Sequence, residues 1–146
     1  PLRRQRQMGI RDRINTGCFN AFVSHKVSKK SYIITSLTDI SLREKVQGTI
    51  RIFKKLYIKE KSAYCILAYL RAFYLLGNNQ IISKTRKYLT HSDYHIRCTA
   101  SMVLDDLLDN TQNIDETLSF IKERIKKEKS VAVESKLRAL IKKYGK

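Results

Sequence analysis

The stretch 89–108, LTHSDYHIRCTASMVLDDLL, decides the fold. Thr90, Ser92 and Asp93 are helix-start residues, whose side-chain oxygens can accept the unpaired N–H groups of a first turn. Ile96, Ala100, Val103, Leu104, Leu107 and Leu108 then recur at three- and four-residue steps, which places them on one helix face. Small Ala100 sits in the middle of that face, where a neighbouring helix can approach closely. Asp93 precedes Arg97 by four residues, the favourable order for an ion pair along a helix.

The rest of the chain extends this reading in both directions. Upstream, Ser62 opens the most apolar segment, SAYCILAYLRAFYLLG, with Ala63, Ile66, Leu67, Leu70, Phe73, Tyr74 and Leu75 over more than half its circumference. A helix apolar nearly all round belongs in the middle of a stack. Gly77 is its natural C-cap. Leu42, Val46, Ile50, Phe53, Leu56 and Tyr57 predict an amphipathic helix from Ser41 to Tyr57, and Lys59–Ser62 a connection. Before it, Phe19, Phe22 and Val23 suggest one short helix and Tyr32, Ile33, Ile34 and Leu37 another, with Ser28, Lys29 and Lys30 as a polar break. Downstream of the most apolar segment, Ile81–Leu89 reads as a short helix. After the opening helix, Asp109, Asn110 and Thr111 form a loop. Asp115 starts a helix to about Lys126, with Leu118, Ile121 and Ile125 inward. Ser130 starts the last, with Val131, Val133, Leu137, Leu140 and Ile141 inward, closed by Tyr144 and Gly145.

These helices repeat. Ser62, Ser92 and Ser130 begin similar helices at separations of 30 and 38 residues. Glu60-Lys61-Ser62 returns as Glu128-Lys129-Ser130, and Leu70-Arg71-Ala72 as Leu137-Arg138-Ala139. A period of roughly 34 residues falls between common helical-repeat lengths. Asp93, Ile96, Arg97, Ala100, Val103, Leu104 and Leu107 together resemble the second helix of a HEAT repeat. Asp39, Leu42, Arg43, Val46, Ile50 and Phe53 are similar, with Val46 in place of the small residue. In the last copy Ser130 replaces the acidic cap, and Glu134 stands where Arg is expected. The resemblance implies an all-α fold: a right-handed α-α superhelix, a HEAT-like (armadillo-type) solenoid of about three antiparallel helix pairs. Its exposed front unit is expected to be sticky, because a solenoid end normally carries a polar cap.

Residues 3–13, RRQRQMGIRDR, resemble one translated frame of the transposon-end adapter used in sequencing libraries, with Gly9 where that translation carries Cys. Composition agrees, since the segment holds Arg3, Arg4, Arg6, Arg11 and Arg13 and no Lys. On this reading residues 1–13 are a non-native arm on a metagenomic fragment whose own N-terminus is missing, and residues 14–146 are one domain. The competing reading is an Arg-rich arm for nucleic acid.

The whole chain carries +17, and without that arm +13, from 25 basic and 12 acidic residues. Such a surface attracts phosphate backbones or anionic membranes. The competing account is a Lys-rich surface inherited from an AT-rich genome. At 146 residues, with no Trp, one Pro and five Gly, one helical domain is expected. Cys18, Cys65 and Cys98 form an odd, widely spaced set without disulfide or metal-ligand pairing, and suit a reducing, cytoplasmic setting. No apolar run reaches the ~18–20 residues that span a bilayer.

His91, His95 and Cys98 give H-x3-H-x2-C at a helix start, without a fourth ligand at a typical spacing, and read as a cap-region pair with a core thiol. Asp105, Asp106 and Asp109 read as a solvated helix end rather than a catalytic pair. The Tyr-rich stripe of residues 64–74 reads as core rather than a base-stacking platform. No phosphate-cradling Gly loop, nucleophile motif or dinucleotide fingerprint is present, so neither catalysis nor a cofactor is expected. Three functions follow from the resemblance. The foremost is a non-catalytic interaction module for a protein partner. The second is a DNA-backbone binder, because the HEAT-like family includes alkylation-repair glycosylases; its contacts would be Lys84, Arg86, Lys87, Lys122, Arg124, Lys126, Lys127 and Lys129. The third is a chromophore-lyase type protein, which no particular residue supports.

Overall fold

A computed structural model describes residues 25–77, 81–109, 111 and 114–145. The expected arm at 1–13 and the short helix at Phe19–Val23 lie outside the described residues. Within them the chain is all-helical, with no strand: α1 (His25–Glu44), α2 (Thr49–Tyr57), α3 (Ala63–Leu75), α4 (Ile82–Lys87), a 3₁₀ turn (Tyr88–Thr90), α5 (Tyr94–Leu108), α6 (Asp115–Ile125) and α7 (Val131–Tyr144). No helix among the described residues is long and apolar enough to cross a membrane.

The opening stretch folds as its pattern requires. Asp93 is the N-cap of α5 and its carboxylate accepts from the His95 N–H. All six residues of the predicted apolar face are buried. The helix is in fact buried further round, at Cys98, Thr99 and Ser101, because α3 packs on one side and α7 on the other. Buried Thr99 and Ser101 meet that demand by donating to the His95 and Cys98 carbonyls at 2.9 and 2.7 Å.

Alternate helices form a row. α3 packs between α1 and α5, and α5 between α3 and α7. The shorter helices lie against this row, α2 on α3, α4 on α5 and α6 on α7, and α4 also touches α6. Three packed helix pairs result, and α1 is the first member of the row among the described residues. The core centres on α3 and α5. At the α2–α3 contact, Phe53 and Tyr57 meet Tyr69 and Phe73 edge-on, with ring centroids 5.3 to 6.1 Å apart. Tyr69 and Tyr74 are buried, so the tyrosine stripe is core.

The front of the chain departs from the sequence reading. Ser28–Lys30 is not a break, since α1 runs through it. The predicted helix from Ser41 to Tyr57 is two helices. Lys45 (φ 54°) and Gly48 (φ 87°) are both left-handed, which stops α1 and resets the direction for α2. The Val46 N–H returns to the Ser41 carbonyl at 3.0 Å, and Ser41 and Thr49 hydroxyls bridge the break at 2.8 Å. Leu42, Val46 and Leu56, expected inward, are therefore exposed. At the other end Val131, also expected inward, is 81% exposed because it is the first residue of α7.

Candidate functional site

The twice-used Glu-Lys-Ser triplet makes the same turn twice. Before α3, one Glu60 oxygen accepts from the N–H groups of Lys61 (3.0 Å) and Ser62 (2.9 Å). Before α7, one Glu128 oxygen accepts from Lys129 and Ser130, both at 2.9 Å. Each carboxylate satisfies helix-start donors that have no intrahelical partner. Each also receives a cation from a helix of the long row. Lys30 of α1 reaches Glu60 at 2.5 Å. Arg97 of α5 grips Glu128 through two nitrogens, at 2.9 and 2.7 Å. Arg124 adds a third contact at 3.0 Å. Burial opposes the charge on Glu128, but Arg97 and the two backbone donors outweigh it and hold its pKa below the usual carboxylate value. Glu60 is lowered the same way by Lys30, Ser62 and Lys61 against burial. Arg97 also donates to the His91 and Ser92 carbonyls at 2.8 and 2.9 Å.

This overturns the expected pairing of Asp93 with Arg97. Asp93 is occupied with its own helix start and the His95 ring, and Arg97 turns to the next unit. Asp39 and Arg43 likewise part company, because Asp39 bonds to Arg71 of α3 at 3.0 Å and Arg43 to Glu44 at 2.6 Å. With the α1–α2 break between them, the second set of repeat residues spans two helices rather than one.

Arg71 is the centre of a second tie. It donates to Asp39 of α1 and, at 2.8 Å, to Asp106 of α5, joining three successive helices of the row. The next tie is made by Lys143 and Tyr144 of α7. Lys143 reaches Asp105 at 2.8 Å and Asp109 at 2.9 Å. The Tyr144 hydroxyl lies 2.8 Å from the Asp105 carboxylate and 2.7 Å from that of Asp109, so its one proton serves a single acceptor at a time. Burial and these carboxylates push the Tyr144 pKa up. For Lys143, burial pulls the other way and the bonds to Asp105, Tyr144 and Asp109 prevail, raising it. The aspartates expected at a solvated helix end are thus engaged in helix-to-helix contacts.

The residues expected to contact nucleic acid divide into two groups. Lys84 and Lys87 on α4, Lys122 on α6, and Lys126, Lys127 and Lys129 in the turn after it are exposed. The two arginines serve the fold. Arg86 pairs with Glu116 and lies over the Phe120 ring, 5.4 Å from its centre. Arg124 donates to the Leu89 carbonyl at 2.7 Å as well as to Glu128. Lys126 meets Glu123 at 2.5 Å. Lys122 also rims an open groove between α6 and α7, floored by Ile125 and Ile141 and edged by Arg138 and Lys142. The sequence signalled this groove only as two inward isoleucines, since the shape depends on how α6 sits on α7.

Among the former ligand candidates, the His91 ring accepts from the Asp93 N–H at 3.0 Å and Cys98 is core. No cluster of three or more His, Cys, Asp or Glu among the described residues is placed to hold a metal ion. Comparison with known proteins found no match to the chain among family models, curated proteins or solved structures.

Proposed function

We propose that the chain is a right-handed α-α superhelical, HEAT-like interaction module, without catalysis of its own, that binds a protein partner. The observation that carries this reading is the groove between α6 and α7, where apolar Ile125 and Ile141 lie inside a rim of Lys122, Arg138 and Lys142. An apolar floor with a cationic rim matches an amphipathic acidic helix: its apolar face fills the floor and its carboxylates meet the rim. Two-row packing of alternate helices supports the repeat reading, since each pair buries its face against its neighbours.

A DNA-backbone binder is the second reading, favoured by one observation. Lys84 and Lys87 on α4, and Lys122 and Lys126 on and after α6, are exposed on two helices that touch, and α4 carries no acidic residue.

Fluorescence anisotropy separates the two. The full chain, and a variant with Arg3, Arg4, Arg6, Arg11 and Arg13 all changed to Gln, are titrated with an acidic amphipathic peptide and with a random-sequence duplex. Expected is peptide binding that Ile141→Asp abolishes, with weak duplex binding once the arm is neutral. Micromolar duplex binding that survives neutralisation of the arm, and weakens steeply between about 50 and 200 mM salt, would instead establish phosphate contacts.

A further inference from the structure

The short helix α2 carries charge and apolar surface on the same outward side. It turns Phe53 and Tyr57 onto Tyr69 and Phe73 of α3. Away from α3, Ile52 is 60% exposed, Leu56 52%, and the C-cap residue Ile58 80%. Ile52, Lys55 and Leu56, at i, i+3 and i+4, share one strip of the helix, and Lys59 follows one turn later. Arg51 and Lys54 form the strip beside it, which Ile58 continues in helical conformation. Three aliphatic side chains are therefore interleaved with four cations, all of them exposed.

The charge on this side has one sign. Residues 45–61 hold six cations, Lys45, Arg51, Lys54, Lys55, Lys59 and Lys61, and one acid, Glu60. Glu60 is turned inward, where Lys30 and the turn before α3 hold it. Among the described residues none of the six cations pairs with a carboxylate. α6, which takes the same position against α7, instead begins with Asp115 and Glu116 and pairs Glu123 with Lys126. A partner for α2 must satisfy both features. Phosphates alone match the cations and leave the aliphatics bare, and a purely apolar surface strands the cations. An anionic lipid bilayer supplies both, with negative headgroups outside and an acyl boundary about 5–10 Å further in. Lysine stems lie along aliphatic neighbours while their ammonium groups stay among the headgroups. The three aliphatics stand on the outside of a helix and can enter a planar surface, unlike Ile125 and Ile141, which floor a groove.

We propose that α2 is a membrane-surface helix, which lays Ile52, Leu56 and Ile58 into the headgroup layer of an anionic bilayer and sets Arg51, Lys54, Lys55 and Lys59 on the lipid phosphates. The contact is peripheral, since no described helix is long and apolar enough to cross a bilayer. It is independent of what the α6–α7 groove binds. Co-sedimentation with lipid vesicles tests it, on the full chain with Arg3, Arg4, Arg6, Arg11 and Arg13 changed to Gln so that the arm does not contribute. Expected is binding to phosphatidylcholine vesicles that contain phosphatidylserine, and none to phosphatidylcholine alone. Lys55→Gln with Lys59→Gln should weaken it roughly 20-fold, at about five-fold per cation. Lys84→Gln with Lys87→Gln removes equal charge from α4 and should change it less than about three-fold. Ile52→Ser with Leu56→Ser leaves the charge untouched and should weaken it at least about ten-fold. Both side chains are exposed, so circular dichroism should show the same helix content in that variant. Failure of the arm-neutral chain to bind anionic vesicles would overturn the proposal. So would a serine variant that binds within about two-fold of its parent, or an equal loss from the α4 pair. Capture of an acidic amphipathic peptide that the serine variant loses, with anionic vesicles left unbound, would assign the face to a protein instead.

Discussion

Replacing Glu128 with Gln should be among the most damaging single polar changes in this chain. The Glu128 side chain has no exposed surface, and Arg97 beside it is only 10% exposed. Its two oxygens accept five contacts: two from Arg97, one from Arg124, and one each from the Lys129 and Ser130 N–H groups. Glutamine keeps one acceptor oxygen for the turn. Its amide N–H₂ then faces two guanidinium groups that only donate. Removing one partner of a buried pair costs roughly 3–5 kcal/mol. Arg97 keeps its bonds to the His91 and Ser92 carbonyls, so about 3 kcal/mol is expected here. For a domain of this size that lowers Tm by about 12 °C. Glu60→Gln is the internal control. It breaks the same turn, but Lys30 is 56% exposed, so solvent screens the pair and about 1 kcal/mol is expected. Urea and thermal unfolding at pH 7 measure both. The reasoning is refuted if Glu128→Gln costs no more than Glu60→Gln. Acid supplies a second check. The Glu128 pKa is lower folded than unfolded, so its contribution is fully present above the ordinary value of 4.5 and is lost as pH falls through the folded value. The stability gap between wild type and Glu128→Gln must therefore narrow below about pH 4.5 and hold steady above it.

Three further outcomes follow from the same geometry. Arg71→Met removes the bridge between α1 and α5 and leaves Asp39 and Asp106 half-buried without their cation; a loss of about 2 kcal/mol in urea unfolding is expected. Gly48→Ala meets no atom within 4 Å but must hold φ 87°, so it should cost about 1 kcal/mol from backbone strain alone, whereas Lys45→Gly, which relieves a left-handed lysine at φ 54°, should be neutral or stabilising in the same assay. Leu137→Ala, at a fully buried position in α7, should lose roughly 2–5 kcal/mol, and Val131→Ala in the first turn of the same helix less than about 0.5 kcal/mol.

What the sequence revealed and what it hid divide along physical lines. Local signals were legible. The Asp93 cap, the Ser130 start, the Gly77 stop and the three- and four-residue apolar spacing of α3, α5 and α7 each depend on groups within a turn or two. Two kinds of feature were not. The break at residues 45–48 has its apolar periodicity intact on both sides, so the pattern reads as one helix. Only the left-handed angles at Lys45 and Gly48 divide it. A lone glycine was its one sequence signal, and helices tolerate glycine at a cost near 1 kcal/mol. Ion-pair partners were the second failure. Asp93 and Arg97 have the right spacing for each other, but a backbone cap competes for the carboxylate and a buried Glu128 competes for the guanidinium. At an exposed helix surface such a pair is worth a few tenths of a kcal/mol, so better-buried partners win. The groove at Ile125 and Ile141 was hidden for a related reason, since neither α6 nor α7 contains it alone.

The long-range ties nevertheless carry the repeat more plainly than the residue pattern does. Asp39 lies 32 residues from Arg71, Arg71 lies 35 from Asp106, and Arg97 lies 31 from Glu128. Arg86 lies 30 from Glu116, Tyr74 lies 37 from Thr111, and Asp105 lies 38 from Lys143. Each span equals about one repeat of the sequence, and each links a unit only to the next. These polar ties add to the apolar packing between pairs, and the charged ones fix register because a one-turn slip would separate every buried cation from its carboxylate. Nearest-neighbour ties also place the weak points. α3 and α5 are held from both sides. α1 is tied through Lys30 and Asp39 to the unit that follows, and α7 through Lys143 and Tyr144 to the one before. Apolar side chains remain open along α1 at Ile33, Leu37 and Ile40, on and after α2 at Ile52, Leu56 and Ile58, and in the Ile125–Ile141 groove, so the ties hold the helices in register without closing every apolar face.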